Sequence, residues 1–569
     1  MVKTKLIEKI GYGFGDMSSS TFWKIFSYYL PFFYSNIFGL SLIDAGVLVL
    51  ITRIWDAVSD PMMGIISDRT NTKWGKYRPY LLWVAPFFSI CGILLFTTPD
   101  WSYGAKLIWA YITYIMMMTV YTGINVPYGA MLGVMTDDSN EKTVFSSFRM
   151  FFAYGGSFLA LFLWEPLTNM FGGYNSKDGW FWGMVCIAAA CFVMFILCFL
   201  LTKEHLKTVS AVSVGSDFKS LLSNKPWWLL IGAALGSNLF NTVRGATVAY
   251  YFQDIIGPDV NLALFGIMFL FYAGLFLGIG EVSNMIGVAL CVPIANKFGK
   301  KTTFIVVNVA LIVLSISFFF VPCTPSGFWT MLVLQVVISI FTGIMSPLIW
   351  SMYADVSDYA ELKYKTASTG LIFSSASMAQ KFGGAIGGAA VLWLLAGFGY
   401  FAIPAGSSIY QAEQSFVSYK TSTTINLKDY FSSIEGVDTL INFDETVDYS
   451  LINVDKNNAA QENNTSVVNI SANEGTEFKF VAKAAQKDKQ ICLYIPVKVD
   501  SKVETVEPKF VKTDKIEQTS SSIECLKWLM SFIPAFVSVL MILFVMFYPL
   551  TTKRIKEIND ELKAVRSIE

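Results

Sequence analysis

The chain alternates long apolar runs with short polar breaks, and each run has about the length a helix needs to cross a bilayer, near 20 residues. The runs lie at about 17 to 38, 43 to 66, 79 to 98, 105 to 132, 146 to 171 and 179 to 201. After a polar break from Thr202 to Lys225 they resume at about 226 to 253, 262 to 294, 302 to 321, 328 to 353, 367 to 399 and 525 to 549. The pattern predicts twelve membrane helices split six and six. A first bundle covers 1–201, a cytoplasmic loop 202–225, helices seven to eleven 226–400, and helix twelve with a cytoplasmic tail 525–569. Residues 401–524 break the pattern: they are polar, with short alternating stretches at Phe478-Lys-Phe-Val481 and Ile491-Cys-Leu-Tyr-Ile-Pro-Val-Lys-Val499 that read as strands. The expected fold class is an all-α polytopic membrane protein with a small insertion between helices eleven and twelve, either a β-rich domain or a partly disordered loop.

Lysine and arginine orient the chain. They crowd the N-terminus (Lys3, Lys5, Lys9), the second loop (Arg69, Lys73, Lys76, Arg78), the central loop (Lys203, Lys207, Lys219, Lys225), the eighth (Lys297, Lys300, Lys301), the tenth (Lys363, Lys365) and the C-terminus (Lys553, Arg554, Lys556). The alternate loops hold little beyond Lys106 and Lys177. Both termini are therefore expected in the cytoplasm and the insertion outside it. Met1-Val-Lys-Thr-Lys5 leads into a helix without a small-residue cleavage pattern, so no removable leader is expected.

Composition sharpens the class. With 54% hydrophobic and 15% charged residues, the chain is too apolar for a soluble protein of its length. The apolar runs make the lipid bilayer a partner, and a formal net charge of zero gives no sign of a nucleic-acid partner. The single histidine, His205, excludes multi-histidine metal sites, and no nucleophile–base constellation or cofactor motif suggests an enzyme. Six cysteines (Cys91, Cys186, Cys191, Cys198, Cys291, Cys323) read as small apolar residues, while Cys492 and Cys525 could pair if the insertion is exported.

Two stretches recur six helices apart. Ser67-Asp-Arg-Thr-Asn-Thr-Lys-Trp-Gly-Lys-Tyr-Arg-Pro79 is echoed by Ala295-Asn-Lys-Phe-Gly-Lys-Lys301, and Val126-Pro-Tyr-Gly-Ala-Met-Leu-Gly-Val-Met-Thr-Asp-Asp138 by Ser346-Pro-Leu-Ile-Trp-Ser-Met-Tyr-Ala-Asp355. Equal spacing of both echoes is the trace of two related six-helix bundles with a substrate held near the midplane between them.

The second helix holds the chemistry. Asp56 and Asp60, four residues apart, share a helix face with Cβ atoms roughly 6 Å apart. At an effective dielectric near 20 their charges would repel by about 3 kcal/mol, on the order of two pK units. One acid therefore holds a proton, a small cation such as Na⁺ sits between them, or Arg53 or a basic residue of another helix neutralises them. Further polar groups at membrane depth are Ser20 and Lys24, Thr122 and Asn125, Arg149, Arg244 with Asn241, Glu281, and Ser377 with Lys381. Spread over so many helices, they fit a water-filled cavity, with aromatics such as Trp23, Tyr121, Tyr128 and Trp350 available to stack on sugar faces.

Gly11-Tyr-Gly-Phe-Gly-Asp16, Arg53-Ile-Trp-Asp-Ala-Val-Ser-Asp-Pro-Met-Met-Gly64, Trp74-Gly-Lys-Tyr-Arg-Pro79, Asn125-Val-Pro-Tyr-Gly129 and Ala354-Asp-Val-Ser-Asp-Tyr359 resemble, in order, the glycoside-pentoside-hexuronide:cation symporters of the major facilitator superfamily, which include melibiose permease. The resemblance covers nearly all of the chain outside 401–524. It implies cation-driven uptake of a sugar, glycoside or hexuronide by alternating access, with no cofactor beyond a coupling Na⁺ or H⁺, in a bacterial inner membrane and as a monomer. It also implies that Asp56, Asp60, Thr122 and Asn125 bind the cation, that Arg149 is a sugar-cavity arginine and that Lys381 is the lysine linking the halves; Ser20, Lys24, Asn125, Arg149, Ser377 and Lys381 are expected to face the substrate. The chain departs from melibiose permease where Ser20 and Asn125 replace aspartates and Gly129 a tryptophan. Lys24 is an added cation, expected either to meet a carboxylated substrate or to pair with Asp56 or Asp60 in place of the coupling ion. A cation-independent facilitator, or a membrane sensor using the insertion as its ligand-binding module, are the alternative readings.

Overall fold

A computed structural model describes residues 5–566 apart from 137–138, 206–221, 258–259, 265–266, 323, 365–368, 403–406, 415, 435, 439, 453–458, 462–465, 487–488, 501–507 and 514–517. In the first half, α1 (Leu6–Phe32), α2 (Leu42–Arg69), the pair α3 (Arg78–Trp83) and α4 (Ala85–Leu95), α5 (Tyr103–Met135), α6 (Ser139–Met170) and α7 (Lys177–Leu201) follow one another. In the second half come α8 (Lys225–Tyr251), α9 (Ala273–Phe298), α10 (Lys300–Phe319), α11 (Pro325–Tyr364) and α12 (Thr369–Gly397). The insertion's one short helix is α13 (Leu427–Ser432), and the last span is α14 (Ser520–Met530) with α15 (Phe532–Met546), followed by α16 (Thr552–Arg566).

Local chemistry sets several helix ends. Ser41 accepts the Asp44 N–H at the start of α2, Asn224 accepts the Trp227 N–H before Pro226 in the first turn of α8, and Thr519 caps α14. Prolines lie inside α1, α2, α5, α6, α9 and α11, and the carbonyl that Pro166 frees in α6, Phe162 O, accepts Tyr272 Oη from the other half. The first helix of each half ends in a five-residue π turn, Phe33–Ile37 after α1 and Phe252–Ile256 after α8. This matched pair is a third mark of the internal repeat.

The twelve spans are present in order, with two differences from the hydropathy reading. Residues 262 to 271 do not begin the eighth helix: Val260–Leu264 (β1) pairs antiparallel with Ile267–Phe271 (β2), and α9 starts at Ala273. A short apolar run is compatible with strand or helix, so periodicity alone could not separate them. The third and twelfth spans are each broken, at Val84 and at Ser531. Among the described residues eight helices are long and apolar enough to cross a membrane on length and composition alone. The remaining spans are the broken α3–α4 pair and α1, α2 and α8, the helices that carry polar groups into the molecule's centre.

The segment after Gly397 is a folded β-rich domain. Its main sheet runs β11 (Phe510–Thr513), β3 (Ser408–Ala412), β10 (Lys489–Val499), β9 (Glu477–Gln486), β6 (Asp448–Ile452), with β4 (Val417–Tyr419) also on β10. A second sheet has the order β5 (Ser422–Asn426), β8 (Val467–Ser471), β7 (Ala459–Gln461). The stretches read as strands are β9 and β10, the long antiparallel pair of the main sheet. Phe431, Phe480, Leu493 and their neighbours form a core of their own. The stems are clamped where Phe401 N–H donates to Gln518 Oε1 and Gln518 Nε2 donates back to Phe401 O, both at 2.9 Å. Cys492 and Cys525 are both buried and unpaired, one in β10 and the other in α14, so the pairing left open by the sequence does not occur.

The halves meet toward the end that bears the insertion. Ser35 and Tyr250 share a hydrogen bond of 2.7 Å, Tyr272 donates to Phe162 O, and Trp393 Nε1 donates to Ile43 O. Glu165 Oε1 accepts both Tyr29 Oη at 2.9 Å and the Gly274 N–H at 2.8 Å. At the opposite end the described ion pairs stay within one half: Lys9–Glu141, Arg149–Asp16 and Lys300–Asp355.

Candidate functional site

Two ion-pair clusters join the halves at mid-depth. In the first, Thr52, Arg53, Asp56 and Asp60 descend one side of α2. Lys381 of α12 reaches across to place Nζ 3.2 Å from Asp56 Oδ2 and in direct contact with Asp60 Oδ2. Arg53 Nη1 lies 3.9 Å from Asp56 Oδ2, and its guanidinium stacks over the Trp23 and Phe26 rings at 4.5 and 5.0 Å. Two carboxylates thus face two cations, one from their own helix and one from the other half. Asp56 is fully buried, whereas Asp60 keeps about a quarter of its side-chain surface (27%) exposed, so an ion entering from solvent meets Asp60 first.

Thr122 of α5 completes this cluster. Its Oγ1 lies 3.1 Å from Asp56 Oδ1 and 2.9 Å from Asp60 Oδ1. A hydroxyl has one proton to donate, so it hydrogen-bonds one of the two carboxylates at a time. Ser59 Oγ, 3.3 Å from Thr122 Oγ1, adds another hard oxygen.

In the second cluster Lys24 Nζ lies 2.6 Å from Glu281 Oε1 of α9 and donates to Tyr28 Oη at 3.2 Å. The added lysine therefore does not pair with Asp56 or Asp60: its counterion is a buried acid of the other half, and Lys381 occupies the place beside those two acids. The expected ion pair considered only acids of the first half, because helix adjacency across the halves is invisible in sequence.

Between the clusters lie two adjoining cavities of about 170 and 160 Å³ that share Trp23, Ser27, Asn238 and Thr242. The first also takes in Arg53, Ser377, Gln380 and Lys381, the second Lys24, Asn241, Glu281 and Asn284. A recess of about 40 Å³ beyond Glu281 reaches Arg244, which donates to Met530 O and Gln335 Oε1. Carboxamides and hydroxyls around one indole suit a polyhydroxylated ligand: the amides donate and accept at once, and the ring covers a C–H face.

The structure thus gathers Asp56, Asp60, Thr122 and Lys381 into one cluster and sets Lys24 and Ser377 on the cavities beside it. Ser20 is half-buried one turn before Lys24. Asn125 donates to Tyr121 O of its own helix, and Arg149 pairs with Asp16 at 2.9 Å under the Tyr128 ring; neither lines the two central cavities. Of the aromatics, Trp23 lines both cavities with Tyr121 packed on it, while Tyr128 stacks on Tyr12 and Trp350 lies tilted against Tyr353. Asn238, Asn284, Thr342 and Gln380 went unremarked in sequence. The available signal was the run Asn238, Asn241, Thr242 on one face of an otherwise apolar helix.

This architecture has counterparts. A family model described as MFS/sugar transport protein matches residues 11–427. The chain belongs to that family. Within it, the inner membrane symporter YicJ of Escherichia coli (strain K12) is 36% identical over 395 residues, 69% of this chain and 83% of its own. The isoprimeverose transporter of Lactiplantibacillus pentosus is 32% identical over 406 residues, 70% of this chain and 82% of its own. The solved structure of the nucleoside transporter NupG shares the fold at 13% identity, with a TM-score of 0.51 over 70% of this chain and 93% of that one. The protein is thus a membrane-embedded secondary transporter of the major facilitator fold, as the sequence motifs implied.

Proposed function

We propose that this sugar-transport family member carries a glycoside or hexuronide into the cell together with Na⁺ or H⁺. In this reading Asp56, Asp60 and Thr122 hold the ion and the cavities around Trp23, Asn238 and Ser377 hold the sugar. Similarity to the isoprimeverose transporter favours a glycoside as cargo. The observation that carries the coupling is Lys381, a cation of one half held by two acids of the other, on the wall of the cavity itself. A proton or Na⁺ arriving at Asp60 competes with that ammonium. Releasing Lys381 both loosens the tie between the halves and frees a donor for the sugar, so ion and substrate bias the same conformational equilibrium.

The closure at the insertion end supports an inward-facing state, with both termini in the cytoplasm, the insertion outside a bacterial inner membrane, and a monomer sufficient for transport because both clusters form within one chain. Uptake of a panel of glycosides and uronides into vesicles under separately imposed Na⁺ and H⁺ gradients tests the reading. One gradient is expected to drive accumulation of at least one member. Equilibration without accumulation under both would replace symport by facilitation.

A further inference from the structure

A further cavity lies away from the centre. It holds about 810 Å³ and lies between the insertion and the ends of the first-half helices. Its roof comes from β6, β9 and β10, through Tyr449, Lys483 and Gln490, and its floor from the links around Leu40 and Asp100 and the first turn of α5, through Trp101, Tyr103 and Lys106. Floor and roof therefore belong to opposite halves of the chain, since the insertion hangs from α12 and α14.

With Lys177 beside it, three lysines (Lys106, Lys483 and Lys177) stand against the two acids of this cavity. Lys106 is only 7% exposed, and no carboxylate lies within ion-pair distance of it among the described residues. Lys483 is half-buried opposite it, and burial, with Lys177 nearby, holds its amine below the usual lysine range. The acids on the wall are Asp100, which is taken by Lys177 at 2.5 Å, and Asp448, which is exposed to solvent and whose charge acts on Lys483 without an ion-pair contact. A buried ammonium with no acid in ion-pair contact is costly, and an anion entering the cavity lowers that cost. The volume falls in the range of small-molecule sites, about 300–1,000 Å³, and the Trp101, Tyr103 and Tyr449 rings offer faces to a sugar's C–H edges.

We propose that this vestibule is a second binding site, selective for a sugar that carries a carboxylate or similar anionic group, held between Lys106 of the first half and Lys483 of the insertion. Because the walls move with different halves, occupancy is sensitive to whether the insertion end is closed. The site stands apart from the central cavities, and its ligand need not be transported.

Isothermal titration calorimetry on the full chain in detergent, with no ion gradient, tests the assignment independently of transport. The probes are D-glucuronate, D-glucose and sodium sulfate. Glucuronate is expected to bind, and both Lys106→Gln and Lys483→Gln to weaken it by about tenfold or more, the loss of a charge-assisted hydrogen bond. Lys483 lies on the insertion's own sheet, so its substitution reports on the site even where Lys106→Gln disturbs helix packing. Glucose binding as tightly as glucuronate, or glucuronate affinity unchanged in Lys483→Gln, would overturn the proposal. Sulfate matching glucuronate would overturn its sugar component.

Discussion

Lys381 and Lys24 cross the same interface in opposite directions, one from the second half to Asp56 and Asp60, the other from the first half to Glu281. Removing one partner leaves charge stranded in a poorly hydrated place, which costs more than the pair was worth. For Lys24–Glu281, where the Glu281 side chain is 4% exposed, Lys24→Gln and Glu281→Gln are each expected to lower thermal stability. The double variant should be more stable than their sum predicts by about 1–3 kcal/mol. Additive effects in a denaturation cycle would mean that the two charges do not interact. Lys381→Gln is expected to cost less stability, about 1–2 kcal/mol, because Lys381 and Asp60 are partly hydrated. It should nevertheless abolish ion-driven accumulation while leaving some downhill flux. Accumulation at the wild-type level in vesicles would remove Lys381 from the coupling. The two acids and the four-residue spacing that sets them on one face were legible from the sequence; which cation each acid meets was not, because that depends on a partner more than two hundred residues away.

At the scale of elements, the motif Trp74-Gly-Lys-Tyr-Arg-Pro79 acquires a mechanical meaning. The Glu204 carboxylate, just beyond α7, accepts the backbone N–H groups of Lys76, Tyr77 and Arg78 at 2.8, 2.7 and 2.6 Å, at the very start of α3 where such donors are unsatisfied. Arg78 Nε also donates to Phe199 O. Gly75 makes this possible: it has φ +117°, and a Cβ there would fall 2.5 Å from the Glu204 carboxyl carbon. Gly75→Ala is therefore expected to destabilise the first bundle by about 1–3 kcal/mol, read as a lower melting temperature of the purified protein, and an unchanged melting curve would contradict this account of the turn. The glycine and the basic loop were visible as a repeated motif. Their acceptor lies in the polar break after the sixth span, where hydropathy gives no reason to look. The same limit explains β1 and β2, where the apolar composition was evident but the pairing that makes it a hairpin was not.

Over the whole molecule, Glu165 and its two donors, Tyr29 Oη and the Gly274 N–H, form a charge-assisted latch at the insertion end. Glu165→Ala is expected to shift the population toward the state open at that end by about 1–2 kcal/mol. A cysteine introduced at Ser27, on the central cavities, should then react faster with an impermeant maleimide added from the insertion side, and an unchanged rate would argue against the latch. Sequence alone determined what depends on local composition and period: twelve spans, their division in two, a strand-bearing insertion, a family, and a helix face carrying two acids. Tertiary structure decided what depends on approach between distant segments: Lys24 with Glu281, Lys381 between Asp56 and Asp60, the amides of α8 around Trp23, and a basic vestibule beneath the insertion. Helical and strand periods are written into consecutive residues. Contacts between bundles arise from how already formed helices pack, and charges placed there reveal their partners only once the halves are brought together.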